Sequence, residues 1–250
     1  MTKSARVAAN AKLEFKLAWR KFRFSCFCIF EFVKICISIF SNLRKYVFSN
    51  WSSDELLVTC TSAKGGVGKT TSSIHIAAYL SAKDSTLLID GDPNHSAMKW
   101  ARRGQLPFQV VDLMAAPKHT RTVEHIVFDT PARPNRDDLE ALVDGCDLLI
   151  IPTTPDILSI DATLETVAML NALKCDRYRI LLTIVPSLPR KTGQQARSAL
   201  SDYPLFVQSI RQFAAYEKAA LAGALVHQVK ERNGRIAWRE FETLGREIFA

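Results

Sequence analysis

The stretch Lys64-Gly65-Gly66-Val67-Gly68-Lys69-Thr70-Thr71 limits what this chain can fold into more than any other feature. Closely spaced glycines let successive backbone N–H groups converge on phosphate oxygens, and a helix that follows adds its positive N-terminal end. In such a loop Lys69 reaches the β- and γ-phosphates of a nucleotide, and the Thr70 hydroxyl holds Mg²⁺. The flanks agree with this reading. Leu56 to Cys60 is an apolar run that predicts a strand, and Thr70 to Lys83 carries Ile74, Ile76, Ala77 and Leu80 at helical spacing. Lys64 is the unusual element, a second lysine five positions before the usual one.

Three further segments fit the same frame. Thr86-Leu87-Leu88-Ile89-Asp90-Gly91-Asp92-Pro93 predicts a buried strand that delivers two carboxylates to the C-terminal edge of a sheet, where ligands of open α/β sheets sit. Ile126-Val127-Phe128-Asp129-Thr130-Pro131 repeats the pattern and brings Asp129 toward a magnesium shell. Leu148 to Pro152 is another strand, stopped by Thr153-Thr154-Pro155-Asp156. With Phe108 to Val111 and Arg179 to Val185, six strands alternate with helical patterns. That alternation predicts an α/β fold, a largely parallel twisted sheet with helices on both faces, over residues 54–250. The last helix, about Arg235 to Phe249, is expected to pack Ile236, Phe241, Leu244 and Ile248 as one stripe.

Taken together, KGGVGKTT, the DGDP segment with Asn94, Ser96 and Trp100, the aspartate Asp129 and the strand end IPTTP resemble the ParA/MinD family of deviant-Walker P-loop ATPases, in particular the small ParA partition ATPases. The resemblance implies ATP and Mg²⁺ as cofactors, bound by Lys64, Gly65, Gly66, Val67, Gly68, Lys69, Thr70 and Thr71. It implies that Lys64 crosses to the nucleotide of a second subunit in an ATP-sandwich homodimer, and that Asp92 orients the attacking water. Thr70, Asp90 and Asp129 would then support the metal, partly through water. A cation supplied in trans suits phosphoryl transfer, which needs positioning and charge stabilisation. The resemblance also implies slow ATP hydrolysis stimulated by a ParB-like or cargo-adaptor protein, and nucleoid association of the ATP-bound state in the cytoplasm. A plasmid, a chromosome or a large protein complex would be the cargo. Alternatives are a MinD-like membrane-associated ATPase and a biosynthetic ligase resembling cobyrinate amide synthase or dethiobiotin synthetase; the chain has no room for an amidotransferase domain. A nitrogenase-iron-protein-like reductase would need a cysteine pair at the dimer axis, whereas Cys146 falls at a strand entrance and Cys175 at a helix end.

Charge bears on the partner. The formal net charge is +8, and residues 1–50 carry ten Lys/Arg against two Asp/Glu, which accounts for all of it. Within the balanced remainder, Lys174 to Arg235 still holds eleven basic and four acidic residues. Nonspecific DNA is the partner that the resemblance implies for such a surface, with binding that weakens steeply as salt rises. The candidate contacts are Arg190, Lys191, Arg197, Arg211 and Lys218, expected on the far side of the molecule from the nucleotide; an ordinary solvated surface is the alternative.

Residues 1–53 read differently. They hold eight of the fourteen Phe and the cysteines Cys26, Cys28 and Cys36. The stretch Phe24 to Phe40 is interrupted by Glu31 and Lys34 and falls short of the ~20 apolar residues of a membrane span. Upstream DNA translated from a misassigned start, a basic membrane-surface helix and a cleaved targeting peptide are three readings of it. A membrane could be engaged only through this segment. Cys60, Cys146 and Cys175 form no CxxC pair, which suits a reducing compartment. His95 reads as a solvated loop residue and Trp100 as packing for a short helix. His75 lies one position off an apolar stripe, and with His119, His125 and His227 it shows no metal-ligand spacing.

Overall fold

The structure, a computed structural model, describes residues 55–250. The three readings of residues 1–53 lie outside the described residues. Six strands, β1 (Leu56–Ser62), β2 (Thr86–Asp90), β3 (Gln109–Asp112), β4 (His125–Ala132), β5 (Leu148–Thr153) and β6 (Tyr178–Leu182), form one sheet in the order β3-β2-β4-β1-β5-β6. Every pairing is parallel. The helices that the site and the core depend on are α1 (Lys69–Ser81), α2 (Ser96–Arg102), α3 (Arg136–Gly145), α4 (Ile157–Ala172), α5 (Thr192–Ala199), α6 (Ala214–Ala222) and α7 (Gly234–Ile248).

A parallel sheet needs cover on both faces because its crossovers are helices. The side chains obey the two-residue period of strands. Leu57, Leu87, Ile126 and Leu149 face one side, where Leu139 and Leu142 of α3 and Val167 and Leu170 of α4 cover them. Val58, Leu88, Val127 and Ile150 face the other, under Ile74, Ala77 and Leu80 of α1 and Phe241 and Leu244 of α7. Strand β1, paired with β4 on one flank and β5 on the other, is the point from which the chain winds in both directions. Ligands of open α/β sheets bind beyond the strand ends at such a point.

Two expectations need correction. The sixth strand stops at Leu182 rather than Val185: Thr183 turns its hydroxyl to the Val67 and Thr153 carbonyls, Ile184 takes φ 51°, and Val185 forms only an isolated bridge with Arg211. In α7 the buried stripe runs Ala237, Glu240, Phe241, Leu244, with Ile248 partly buried along it, whereas Ile236 is exposed. The stripe is rotated by one residue because a carboxylate, Glu240, occupies a position that sequence periodicity reserves for apolar side chains.

Two connections tie α1 and α2 to the C-terminal helices. His75, fully buried on α1, receives the Val226 N–H at Nε2 (3.1 Å), so Nδ1 carries the proton and donates to the Thr71 carbonyl at 2.7 Å. Its ring stacks on Phe241 with centroids 4.8 Å apart. Separately, the Trp100 indole N–H donates to the Ala224 carbonyl (3.1 Å) and Arg103 to that of Ala220 (3.0 Å). Between those bonds Gly223 adopts φ 63°, and a Cβ there would sit 2.2 Å from the Gly104 nitrogen. Only glycine fits that contact.

Burial pushes the His75 imidazole down from 6.5 to about 4, with the bond to Thr71 opposing the shift and His227 adding to it. The unfolded chain therefore binds the proton first as pH falls. The contribution of neutral His75 is complete above pH ~6.5 and is lost progressively toward pH ~4, by about 3 kcal/mol in all. Urea unfolding of the wild type and His75→Gln across this window is expected to show the extra acid sensitivity in the wild type only. Parallel curves would mean that His75 does not carry it.

Candidate functional site

The phosphate loop joins the end of β1 to α1. Gly66 and Gly68 take φ 79° and 80°, Gly68 is the N-cap of α1, and a Cβ on Gly65 or Gly66 would meet nothing within 4 Å. The loop is thus wound around open space with the first turn of a helix aimed at it, which is the cradle that a chain of phosphates requires. The Thr183 hydroxyl, just beyond β6, fastens the loop by donating to the Val67 carbonyl at 2.7 Å.

Asp129, with no exposed surface, gathers the side chains below the loop. Its carboxylate accepts from Thr70 Oγ1 (2.6 Å) and Ser73 Oγ (3.1 Å) and meets Lys69 Nζ at 3.4 Å. Lys69 also lies 3.6 Å from Asp92 Oδ2. Burial pushes the Asp129 carboxyl up, while the Lys69 charge and the Thr70 bond pull it back. Thr70 and Asp129 present hard oxygen donors of the kind Mg²⁺ takes, and that ion usually completes its shell with waters and phosphate oxygens. The residues therefore fit a magnesium nucleotide. Bound there, the ion would neutralise charge that develops on the phosphates.

Asp90 is buried, and both its oxygens are already engaged. Oδ1 accepts the Asp92 N–H (3.1 Å) and Oδ2 the Met98 N–H (2.9 Å). It fixes the turn that carries Asp92, and burial raises its carboxyl against those two bonds. His95 is exposed at φ 49° beside this turn, and Trp100 packs α2 inward at 5% exposure.

Lys64 is held within its own subunit. Its ammonium lies 2.9 Å from both Asp156 Oδ1 and Ser159 Oγ at the start of α4. Asp156 is the N-cap of α4, accepting the Ser159 N–H at 3.0 Å, and the Thr154 and Ser159 hydroxyls donate to it as well. Burial alone would raise this carboxyl; the bonds from Thr154, Ser159 and Lys64 together outweigh it and hold the group well below the usual range.

Ser73, Thr183 and the Asp156–Ser159 pair escape a reading of the sequence. Ser73 is one helical turn past Lys69, a spacing that puts both on one face, but serine there is equally consistent with a solvated helix. Asp156 carries a weak signal, a carboxylate three residues before Ser159 at a helix start.

The five basic candidates do not form one free patch. Arg190 and Lys191 are exposed beside α5. Arg197 is engaged by the carbonyls of Phe206 and Val207 and by Ser209 Oγ, and Lys218 is ion-paired with Glu231. Arg211 corrects the expectation of a far-side location. It lines a cavity with Gly68, Thr71 and Ser72, directly beside the phosphate loop, and is ion-paired with Glu240.

Comparison with known proteins agrees with this geometry. Residues 58–234 match the CobQ/CobB/MinD/ParA nucleotide binding domain. The chain is 34% identical to Maintenance of carboxysome distribution protein A of Gloeobacter kilaueensis over 79% of its own length and 95% of that protein's. It is 32% identical to the chromosome-partitioning ATPase Soj of Treponema pallidum, over 66% and 74%. Among solved structures, an ATP complex of a Cyanothece McdA variant superposes with a TM-score of 0.64 at 15% identity, covering 79% of this chain and 98% of that one. A plasmid partition protein of Borrelia burgdorferi bound to AMPPNP gives 0.62 at 18%, covering 78% and 98%.

Ser73→Ala removes one donor from a fully buried carboxylate. It is expected to lower stability by about 1 kcal/mol in urea unfolding and to weaken Mg²⁺-nucleotide affinity. A variant unchanged in both would show that the Ser73–Asp129 bond adds nothing to the site.

Proposed function

The chain belongs to the CobQ/CobB/MinD/ParA nucleotide-binding family, and from that premise we propose that it is an ATP-hydrolysing positioning protein of the ParA type. The observation that carries the proposal is Lys64, a second cation at the mouth of a loop whose own Lys69 is already committed to Asp129 and Asp92. Lys69 serves phosphates in its own subunit, Thr70 and Asp129 hold the metal side, and Asp92 positions water from a turn fixed by Asp90. Lys64 acts in trans, on the nucleotide of a second copy. ATP then dimerises the protein and hydrolysis releases it.

The ATP-bound dimer binds DNA without regard to sequence and distributes a cargo along it, and a partner protein stimulates hydrolysis. Exposed Arg190 and Lys191 and the basic excess between Lys174 and Arg235 support the DNA step. A large protein assembly is the favoured cargo class, since two relatives are proteins of carboxysome distribution.

For Lys64 to cross, its pair with Asp156 and Ser159 must open. The ammonium is 37% and the carboxylate 49% exposed. A pair so exposed is worth at most about 1 kcal/mol, small enough for nucleotide and partner to exchange it.

Lys69→Ala is expected to abolish ATP binding. Lys64→Ala keeps binding measurable but loses ATP-dependent dimerisation and most turnover. Light scattering with ATP decides, and a fully dimeric Lys64→Ala protein would refute the sandwich.

Asp92→Ala is expected to remain dimeric on DNA with turnover near background. Release and turnover equal to the wild type in a wash-off experiment would remove Asp92 from its role.

Asp156→Asn, which keeps an N-cap acceptor for α4 but drops the charge on Lys64, should dimerise at lower protein concentration than the wild type. Dimerisation at the same or higher concentration would show that the cis pair does not oppose the trans contact.

A further inference from the structure

The first turn of α1 divides its neighbours in two. Lys69, Thr70 and Ser73 turn toward Asp129, whereas Thr71 and Ser72 turn toward a cavity of about 200 Å³ that also borders Gly68. That division follows from helical spacing, since residues three or four apart share a face and their immediate neighbours do not. The cavity is smaller than the ~300–1,000 Å³ that encloses a drug-sized ligand, so it suits one end of a nucleotide whose phosphates lie on the loop. Its far wall is apolar and aromatic, from Ile184, Ile210, Phe213 and Tyr216. Such walls suit a planar ring.

Arg211 stands in the same wall, and it is fixed in several ways. Its Nε is ion-paired with Glu240, its backbone N–H donates to Glu240 Oε2 (2.9 Å), and its guanidinium carbon lies 5.0 Å from the centroid of the Phe213 ring. Glu240 projects from α7 at 6% exposure, a place where a carboxylate is retained only if paired. Engaging Nε leaves four of the five guanidinium N–H donors for another partner. A planar guanidinium also stacks on flat rings, which an ammonium does not. Alongside it, the buried Tyr216 hydroxyl has no hydrogen-bond partner among the described residues. The Arg211–Glu240 pair is neutral as a unit, so it is poorly suited to displacing counterions from a polyanion.

We infer that Arg211, held by Glu240, is a nucleotide-selecting residue: the base and ribose fill the cavity beside Thr71 and Ser72, and the guanidinium packs against the base. The inference rests on the nucleotide-binding reading above, and it removes Arg211 from the DNA surface.

The test compares ATP with inorganic tripolyphosphate, which has the phosphates and lacks the base and ribose. Calorimetric titration of wild type and Arg211→Met with each ligand, in Mg²⁺, is expected to show about a tenfold loss of ATP affinity and little change for tripolyphosphate. Arg211→Lys recovers only part of the loss, because it restores charge but not the plane. If Arg211→Met does not fold because Glu240 is left buried and unpaired, the double variant Arg211→Met/Glu240→Leu serves in its place, and Tyr216→Phe supplies an independent single-atom change expected to weaken ATP alone. Equal losses for both ligands, or no loss for either, overturn the inference. So does a loss of DNA binding with ATP affinity intact, which would return Arg211 to the DNA surface. Failure of the wild type to bind ATP at all, or retention of both ligands by Lys69→Ala, would instead bring down the nucleotide reading itself.

Discussion

A single carboxylate removed from water organises this molecule. Asp129 lies in a strand at the centre of a parallel sheet, where leaving a charge without partners is strongly unfavourable. Its partners, Lys69, Thr70 and Ser73, all come from the start of one helix. The loop between β1 and that helix is therefore held to a fixed path, with its amides turned toward open space. The glycines permit the path, and the aspartate selects it. Burial, which destabilises the lone carboxylate, also sharpens its attraction to the lysine.

The same arrangement recurs in the outer parts of the site. Asp90 commits both oxygens to the backbone of the next turn and so presents Asp92. Asp156 caps a helix and holds Lys64 with one carboxylate. Glu240 anchors Arg211 from a helix distant in sequence. Each acidic residue is a fastener for a backbone segment or a cation, and the cations and hydroxyls so fastened surround the space where phosphates belong.

Much of this is legible in the sequence because the motifs are local. Glycine spacing, strand ends marked by aspartate, and apolar runs of strand length place all six strands and the loop. Local signals fail where a side chain is committed across the fold. Periodicity puts Ile236 inside and cannot anticipate Glu240, whose burial is explained only by Arg211, 29 residues earlier in the chain. Positive charge on Arg197, Arg211 and Lys218 reads as a free basic surface until their carbonyl and carboxylate partners are known. His75 looks peripheral to its helix; the amide that accounts for its burial is 151 residues away.

The seam between α2 and α6 has a mechanical consequence. Trp100, Arg103 and the Gly104–Gly223 contact join the helix that follows Asp92 to the helix that carries Tyr216. Backbone against backbone leaves no compliant side chain to absorb relative sliding. The turn holding Asp92 and the aromatic wall of the cavity beside the phosphate loop are thus two ends of one rigid lever, with the Trp100 indole as its rivet. Whatever tilts one end is transmitted to the other without passing through the phosphates.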